Sequence, residues 1–120
     1  MKKKTLLIGA SLNPGRYSNF VIQKLTAHGH EVVAIGKKAG EIAGVNIDTE
    51  QLPFKDLDTV TLYLNPMNQK AYYDYIINLK PKRVIFNPGA ENPELYKILR
   101  ENNIPFESAC TLVLLSTNQY

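Results

Sequence analysis

The sequence predicts an α/β fold in which helices cover both faces of a mostly parallel sheet, and three observations support that prediction. Strand-like and helix-like segments alternate along the chain, with no repeat, linker or low-complexity stretch. The strand-like segments are short, nearly continuous apolar runs, as expected of strands buried on both faces. Three of the four Asn-Pro dipeptides fall where such a run ends: Asn13-Pro14 after Thr5 to Gly9, Asn65-Pro66 after Thr59 to Leu64, and Asn87-Pro88 after Arg83 to Phe86. Proline fixes its own φ and keeps the preceding residue out of the helical region, so a strand that reaches Asn-Pro stops and turns. If the three strands are parallel, the three turns gather on one edge of the sheet. Open α/β sheets bind ligands at that edge, beyond the carboxyl ends of the strands.

The elements follow in order. Thr5-Leu6-Leu7-Ile8-Gly9 reads as the first strand. Ser18 is placed to cap a helix whose apolar positions Val21, Ile22 and Leu25 share one face, with Gly29 just past its end. Glu31 to Ile35 is the second strand, ended by Gly36. The stretch from Lys37 to Leu57, with Gly40, Gly44 and Pro53, is the least legible and is given an edge strand around Val45 to Ile47. Thr59 to Leu64 is a strong strand pattern. Asn65 then caps a helix with Pro66 at its first position, and Met67, Ala71, Tyr72, Tyr75, Ile76 and Leu79 recur at helical spacing until Lys80-Pro81. Arg83 to Phe86 is the next strand. Asn92-Pro93 starts a further helix carrying Leu95, Ile98 and Leu99 and closing at Asn102-Asn103. A short strand around Pro105 to Ser108 leads to Cys110 and a Leu-rich close. Short loops and right-handed crossovers then give a Rossmann-like three-layer α/β/α sandwich of five to six strands in the order 3-2-1-4-5.

The size allows one domain, residues 1–120, with one core and no room for a second catalytic domain. A hydrophobic fraction of 44% with 21% charged residues is ordinary for a soluble globular protein. The apolar runs are far short of the roughly 20 residues that span a bilayer, and Met1-Lys2-Lys3-Lys4 leads straight into a strand, so the expectation is a cytoplasmic protein with no membrane partner. A lone cysteine, Cys110, agrees with a reducing compartment. Lys2, Lys3 and Lys4 account for the net charge of +3 and read as a solvated tail. With no basic stripe interleaved with aromatics, nucleic acid is not an expected partner.

Two segments carry chemistry. In the first loop, Gly9-Ala10-Ser11-Leu12-Asn13-Pro14-Gly15-Arg16-Tyr17-Ser18, a glycine and small residues before a helix let backbone N–H groups approach a pyrophosphate at the positive helix terminus. Ser11, Asn13 and Ser18 add side-chain donors and Arg16 a cation. The loop is not G-x-G-x-x-G, and a polar turn with a helix cap is the other reading of it. The second segment is Gly36-Lys37-Lys38. An NAD-binding domain places a carboxylate at the end of the second strand to bind the ribose hydroxyls. Two cations there argue instead for a ribose that bears a phosphate, as in NADP or coenzyme A.

Together these segments resemble the small stand-alone CoA-binding domain family, related to the N-terminal domain of the succinyl-CoA synthetase α subunit. The residues that carry the resemblance are Gly9-Ala10-Ser11 with Asn13-Pro14, Arg16 and Ser18; His28-Gly29-His30-Glu31-Val32 leading to Lys38; Leu64-Asn65-Pro66; Asn87-Pro88-Gly89-Ala90; and Cys110. They run nearly the length of the chain. The resemblance implies that the first loop and Ser18 hold the pyrophosphate and that Lys37-Lys38 meet the 3′-phosphoadenosine. It further implies that Leu64 to Pro66 line the adenine or ribose and that Asn87 to Ala90 face the pantetheine. The chain departs from the family pattern at Gly36-Lys37, where Asn-Pro is common, and at Asn87, where Gln is frequent.

No catalytic set is expected. The phosphohistidine that the resemblance brings to mind belongs to a second domain, and His28 and His30 flank a helix-to-strand turn at the amino ends of the strands. Glu91 and Glu94 read as a solvated helix start, and no metal-ligand pattern is evident. The expected function is a non-catalytic module that binds coenzyme A or acyl-CoA, alone, as a homodimer or beside a partner enzyme subunit. Two alternatives are an NADP-binding oxidoreductase or nucleotide-sensing regulator, and a redox protein that forms a CoA mixed disulfide at Cys110, where a small buried hydrophobe is the plainer reading. The asparagines of the three turns are expected to offer their side chains to the ligand. Asn92-Pro93 is expected to be structural.

Overall fold

The computed structural model describes residues 2–120, so Met1, the first residue of the expected domain, lies outside them. Strands β1 (Thr5–Ala10), β2 (Val32–Gly36), β3 (Gly40–Ile42), β4 (Val45–Asp48), β5 (Thr59–Leu62), β6 (Arg83–Phe86) and β7 (Phe106–Ser108) form one sheet in the order β3-β4-β2-β1-β5-β6-β7. Every pairing is parallel except β3 with β4. The predicted core order is therefore present, with β4 in the place of the edge strand. The sheet has seven strands instead of five or six because a hairpin adds β3 outside β4.

That hairpin was hidden for a physical reason. Its two-residue turn is Ala43-Gly44, with φ of 50° and 82°. Positive φ at both central residues is the type I′ geometry that matches strand twist, normally announced by Asn or Asp before the glycine. Alanine gives no such signal, and Gly40-Glu41-Ile42 is too short to show a period.

Helix α1 (Tyr17–Ala27) follows β1, α2 (Pro66–Gln69) and α3 (Tyr73–Leu79) follow β5 with a 3₁₀ turn at Lys70–Tyr72 between them, α4 (Pro93–Glu101) follows β6, and α5 (Thr111–Ser116) follows β7. The helix expected after Asn65 is thus broken in two, and the Leu-rich close is a helix. Asn65 accepts a hydrogen bond from the Asn68 N–H and Asn92 accepts from Glu94 and Leu95, with Pro66 and Pro93 at the first helical positions, as predicted. Ser18 is not a cap. A turn in which the Arg16 N–H donates to the Asn13 carbonyl brings the chain into helical geometry early, so Arg16 takes the N-cap position and Ser18 is buried in the first turn.

Strand alternation divides the core. Leu6, Ile8, Val60, Leu62, Val84 and Phe86 face α3 and α4, while Leu7 and Ala34 face α1 and Leu115 of α5. A buried polar layer lies under α5, where Thr61 shares a hydrogen bond with Thr111 at 2.8 Å and Arg83 donates to Thr59. None of Lys2, Lys3 and Lys4 is a free tail, since their ammonium groups donate to the main-chain oxygens of His28, Tyr120 and Lys55.

At the same amino edge, His30 Nδ1 accepts the Lys3 main-chain N–H at 2.9 Å, which requires that nitrogen to be unprotonated. Burial first, then the charges of Lys2, His28 and Lys3, hold the His30 pKa below its ordinary value. The unfolded chain therefore binds this proton more tightly. The stabilising contribution is complete above the unfolded pKa, about 6.5, and is lost as pH falls through the folded value. Urea unfolding across this range should show that His30→Gln, which keeps an acceptor but cannot titrate, loses less stability on acidification than the wild type. An identical acid limb in both proteins would contradict the assignment.

Candidate functional site

Register sets the site. Ala10 pairs with Gly36, Ile8 with Leu62, Leu62 with Phe86, and Phe86 with Ser108, so β1, β2, β5, β6 and β7 all end at one edge. Strand order reverses between β1 and β5, which places the loops after them on either side of the switch point.

The loops touch one another in sequence around that edge. Gly9, at φ +103°, lies so close to β5 that a Cβ on it would sit 2.7 Å from the Tyr63 carbonyl oxygen and 3.2 Å from Leu64 Cδ2. Gly36 is closer still to the first loop, its missing Cβ falling 2.3 Å from the Ala10 carbonyl oxygen. These two glycines allow three backbones to crowd together where β1 is kinked between Ile8 and Ala10. Leu12 then packs over Gly40 at the start of β3. On the other side, the loops after β5 and β6 are joined through Gln69, which donates to the carbonyls of Leu64 and Ala90.

Within the first loop the polar groups are locally engaged. The Ser11 hydroxyl accepts from the Asn13 N–H at 3.1 Å, the Asn13 side chain accepts from the Gly15 N–H at 2.9 Å, and the Ser11 carbonyl accepts from the buried Asn19 side chain. Arg16 projects as an exposed cation at the start of α1. Lys37 and Lys38 are exposed, and among the described residues neither is in an ion pair. Pro66, Pro88 and Gly89 are exposed on the opposite rim, Leu64 is half-buried and Ala90 is buried.

The three turn asparagines differ in what they leave for a ligand, since Asn13 and Asn65 are exposed and Asn87 is buried. Asn13 closes its own turn and Asn65 caps α2, so their carbonyl oxygens are committed to the backbone. Asn87 is 1% exposed and has no side-chain surface to offer. Its amide donates to Thr61 Oγ1 at 2.6 Å and the Leu62 carbonyl at 3.0 Å, and its oxygen accepts the Thr111 N–H at 2.9 Å. It ties β5, β6 and the start of α5 together. Asn87→Ala should therefore act on stability, costing about 2–4 kcal/mol by stranding buried partners. Urea unfolding with an unchanged m-value would show this, and a loss under 1 kcal/mol would contradict it.

Cys110 is half-buried at the N-cap of α5, on the same edge. Beside it, burial and the neighbouring Cys110 push the Tyr63 hydroxyl pKa far above its ordinary value, so Tyr63 stays a neutral phenol. His28 and His30 lie at the amino edge, before β2, as expected. Among the described residues no group of three or more His, Cys, Asp or Glu could hold a metal ion, and no helix is long and apolar enough to cross a membrane.

Two surface concavities lie elsewhere. One of about 580 Å³ is lined by Gln51, Phe54, Tyr75 and Leu79 beside α3. Another of about 320 Å³ is lined by Asp56, Leu57, Lys80 and Lys82 near the amino ends of β5 and β6. Neither includes a residue of the converging loops. Concavity favours those hollows, but glycine-permitted backbone approach, a helix start and exposed cations all favour the open carboxyl edge.

A parallel sheet with helices on both faces, a strand-order reversal beside β1 and a small-residue loop ahead of α1 define a Rossmann-like α/β protein. Residues 3–116 match the CoA binding domain family, and the chain belongs to that family. A crystal structure of an uncharacterized protein is 49% identical, with a TM-score of 0.96 over 100% of this chain and 99% of that one. A hypothetical protein from Pyrococcus horikoshii OT3 is 28% identical, with a TM-score of 0.85 over 97% of this chain and 83% of that one. A conserved hypothetical protein from Pyrococcus furiosus is 26% identical, with a TM-score of 0.80 over 92% and 97%. Comparison with curated proteins found no match.

Proposed function

We propose that this chain binds coenzyme A or an acyl-CoA along the carboxyl edge of its sheet, as one domain with no catalytic activity of its own. Family membership supports the ligand class. The observation that carries the finer reading is the pairing of Ala10 with Gly36, which sets Lys37 and Lys38 directly beside the loop that leads into α1. A pyrophosphate held by the backbone of Gly9 to Ser11 and by Arg16, at the start of an 11-residue helix, would have two cations next to it for a ribose phosphate. Leu64 to Pro66 would line the adenine or ribose, and the exposed Pro88-Gly89 turn, with Ala90 behind it, the pantetheine. Ser18 is a first-turn residue whose contribution is its backbone N–H. Asn13 and Asn87 shape their loops.

The same cations would accept the 2′-phosphate of NADP, which is the second reading. Calorimetric titration with CoA, dephospho-CoA, NAD and NADP in parallel separates them. The reading predicts CoA tightest and dephospho-CoA at least tenfold weaker. Preference for NADP, or equal affinity for CoA and dephospho-CoA, would overturn it.

A further inference from the structure

The loops after β5 and β6 are not held by strand pairing beyond Leu62 and Phe86, yet a fully buried side chain spans them. Gln69, at the end of α2, is 0% exposed. Its Nε2 donates to the Leu64 carbonyl at 2.8 Å and to the Ala90 carbonyl at 2.7 Å, one hydrogen to each loop. Its Oε1 accepts from Asn92 Nδ2 at 2.9 Å. Both partners of Nε2 are carbonyls, which only accept, so the amide cannot be turned over. Asn92 is fixed in the same way. Its Oδ1 faces the N–H groups of Glu94 and Leu95, which leaves Nδ2 to donate to Gln69 and to the Tyr73 hydroxyl at 2.8 Å. Tyr73 in turn donates to Glu94 at 2.9 Å. Every polar atom of the buried pair is thereby satisfied, the condition under which such a network specifies a unique geometry.

We infer that Gln69, oriented by Asn92, is the positioning residue that fixes the spacing between the Leu64–Pro66 and Asn87–Ala90 walls of the site. The inference rests on the ligand reading above, because those walls matter to affinity only if a ligand lies between them. Neither residue touches the exposed rim. Their effect on binding passes through the two carbonyls, and walls held at the correct distance before binding spare the ligand the cost of ordering them.

Gln69→Met removes both donors at little change in volume, and Asn92→Asp keeps the α4 cap while removing the donor to Gln69. Each is expected to weaken CoA binding about tenfold at a temperature where circular dichroism shows the protein fully folded. The double variant should lose less than the product of the two, since both cut one connection. Amide exchange should quicken at residues 64–69 and 87–91 and stay unchanged at residues 9–18. Ile104→Ala, a core change away from this edge, should lower stability and leave affinity untouched, which separates positioning from general destabilisation. Wild-type exchange rates in both loops of Gln69→Met and Asn92→Asp would overturn the inference, as would unaltered CoA affinity in those variants. Failure of the wild type to bind CoA at all would overturn the ligand reading instead, with the exchange rates still deciding whether the strut exists.

Discussion

Replacing Gly9 with alanine is expected to destabilise the protein by about 3 kcal/mol or more, a large fraction of the roughly 5–15 kcal/mol that holds a domain of this kind folded. Two costs combine. A side chain at φ +103° is strained, and the new Cβ would lie 2.7 Å from the Tyr63 carbonyl oxygen, a backbone atom that cannot rotate away. Gly89 separates the two. Its φ is +94° but nothing lies within 4 Å of its missing Cβ, so Gly89→Ala should cost only the strain, about 1–2 kcal/mol. Thermal or urea unfolding of both variants tests this, and equal losses would show that backbone approach at Gly9 contributes nothing.

Removing Lys37 and Lys38 together should weaken CoA binding on the order of 30- to 100-fold and change dephospho-CoA binding by less than about twofold. A charge-assisted hydrogen bond to a phosphate contributes about 1.5–3 kcal/mol, and exposure and salt screening of both lysines place each somewhat below that range, at about 1–1.4 kcal/mol. The wild-type affinity for CoA should also fall as salt is raised, and the double variant should lose most of that dependence. An equal loss for both ligands would mean that the lysines act on something other than the 3′-phosphate.

The fold was legible where one local signal decided an element. Apolar runs marked β1, β2, β5 and β6, and Asn65-Pro66 and Asn92-Pro93 marked two helix starts because the cap and the fixed φ are properties of the dipeptide itself. The β3–β4 hairpin was not legible, since an Ala-Gly turn lacks the usual residue, and α5 was not, since six residues show too little period. The gathering of the candidate site's loops at one edge was legible, because parallel register alone brings them together. The site's internal wiring was not. Nothing in the sequence distinguishes Gln69 from a solvent-facing glutamine on a helix, and the carbonyls of Leu64 and Ala90 that make it special are brought to it only by folding. Asn87 misled for a related reason. A turn asparagine is as able to bond its own sheet as a ligand, and only the burial of Thr61 and of Thr111, the first residue of α5, selects the sheet.

Binding of CoA along the carboxyl edge is tested most directly by following backbone amide resonances during a CoA titration. The account predicts that shifts concentrate in residues 9–18, at Lys37 and Lys38, in residues 64–69 and in residues 87–91, while the hollow lined by Gln51, Phe54 and Tyr75 stays silent. Shifts confined to that hollow, or none at saturating CoA, would contradict it.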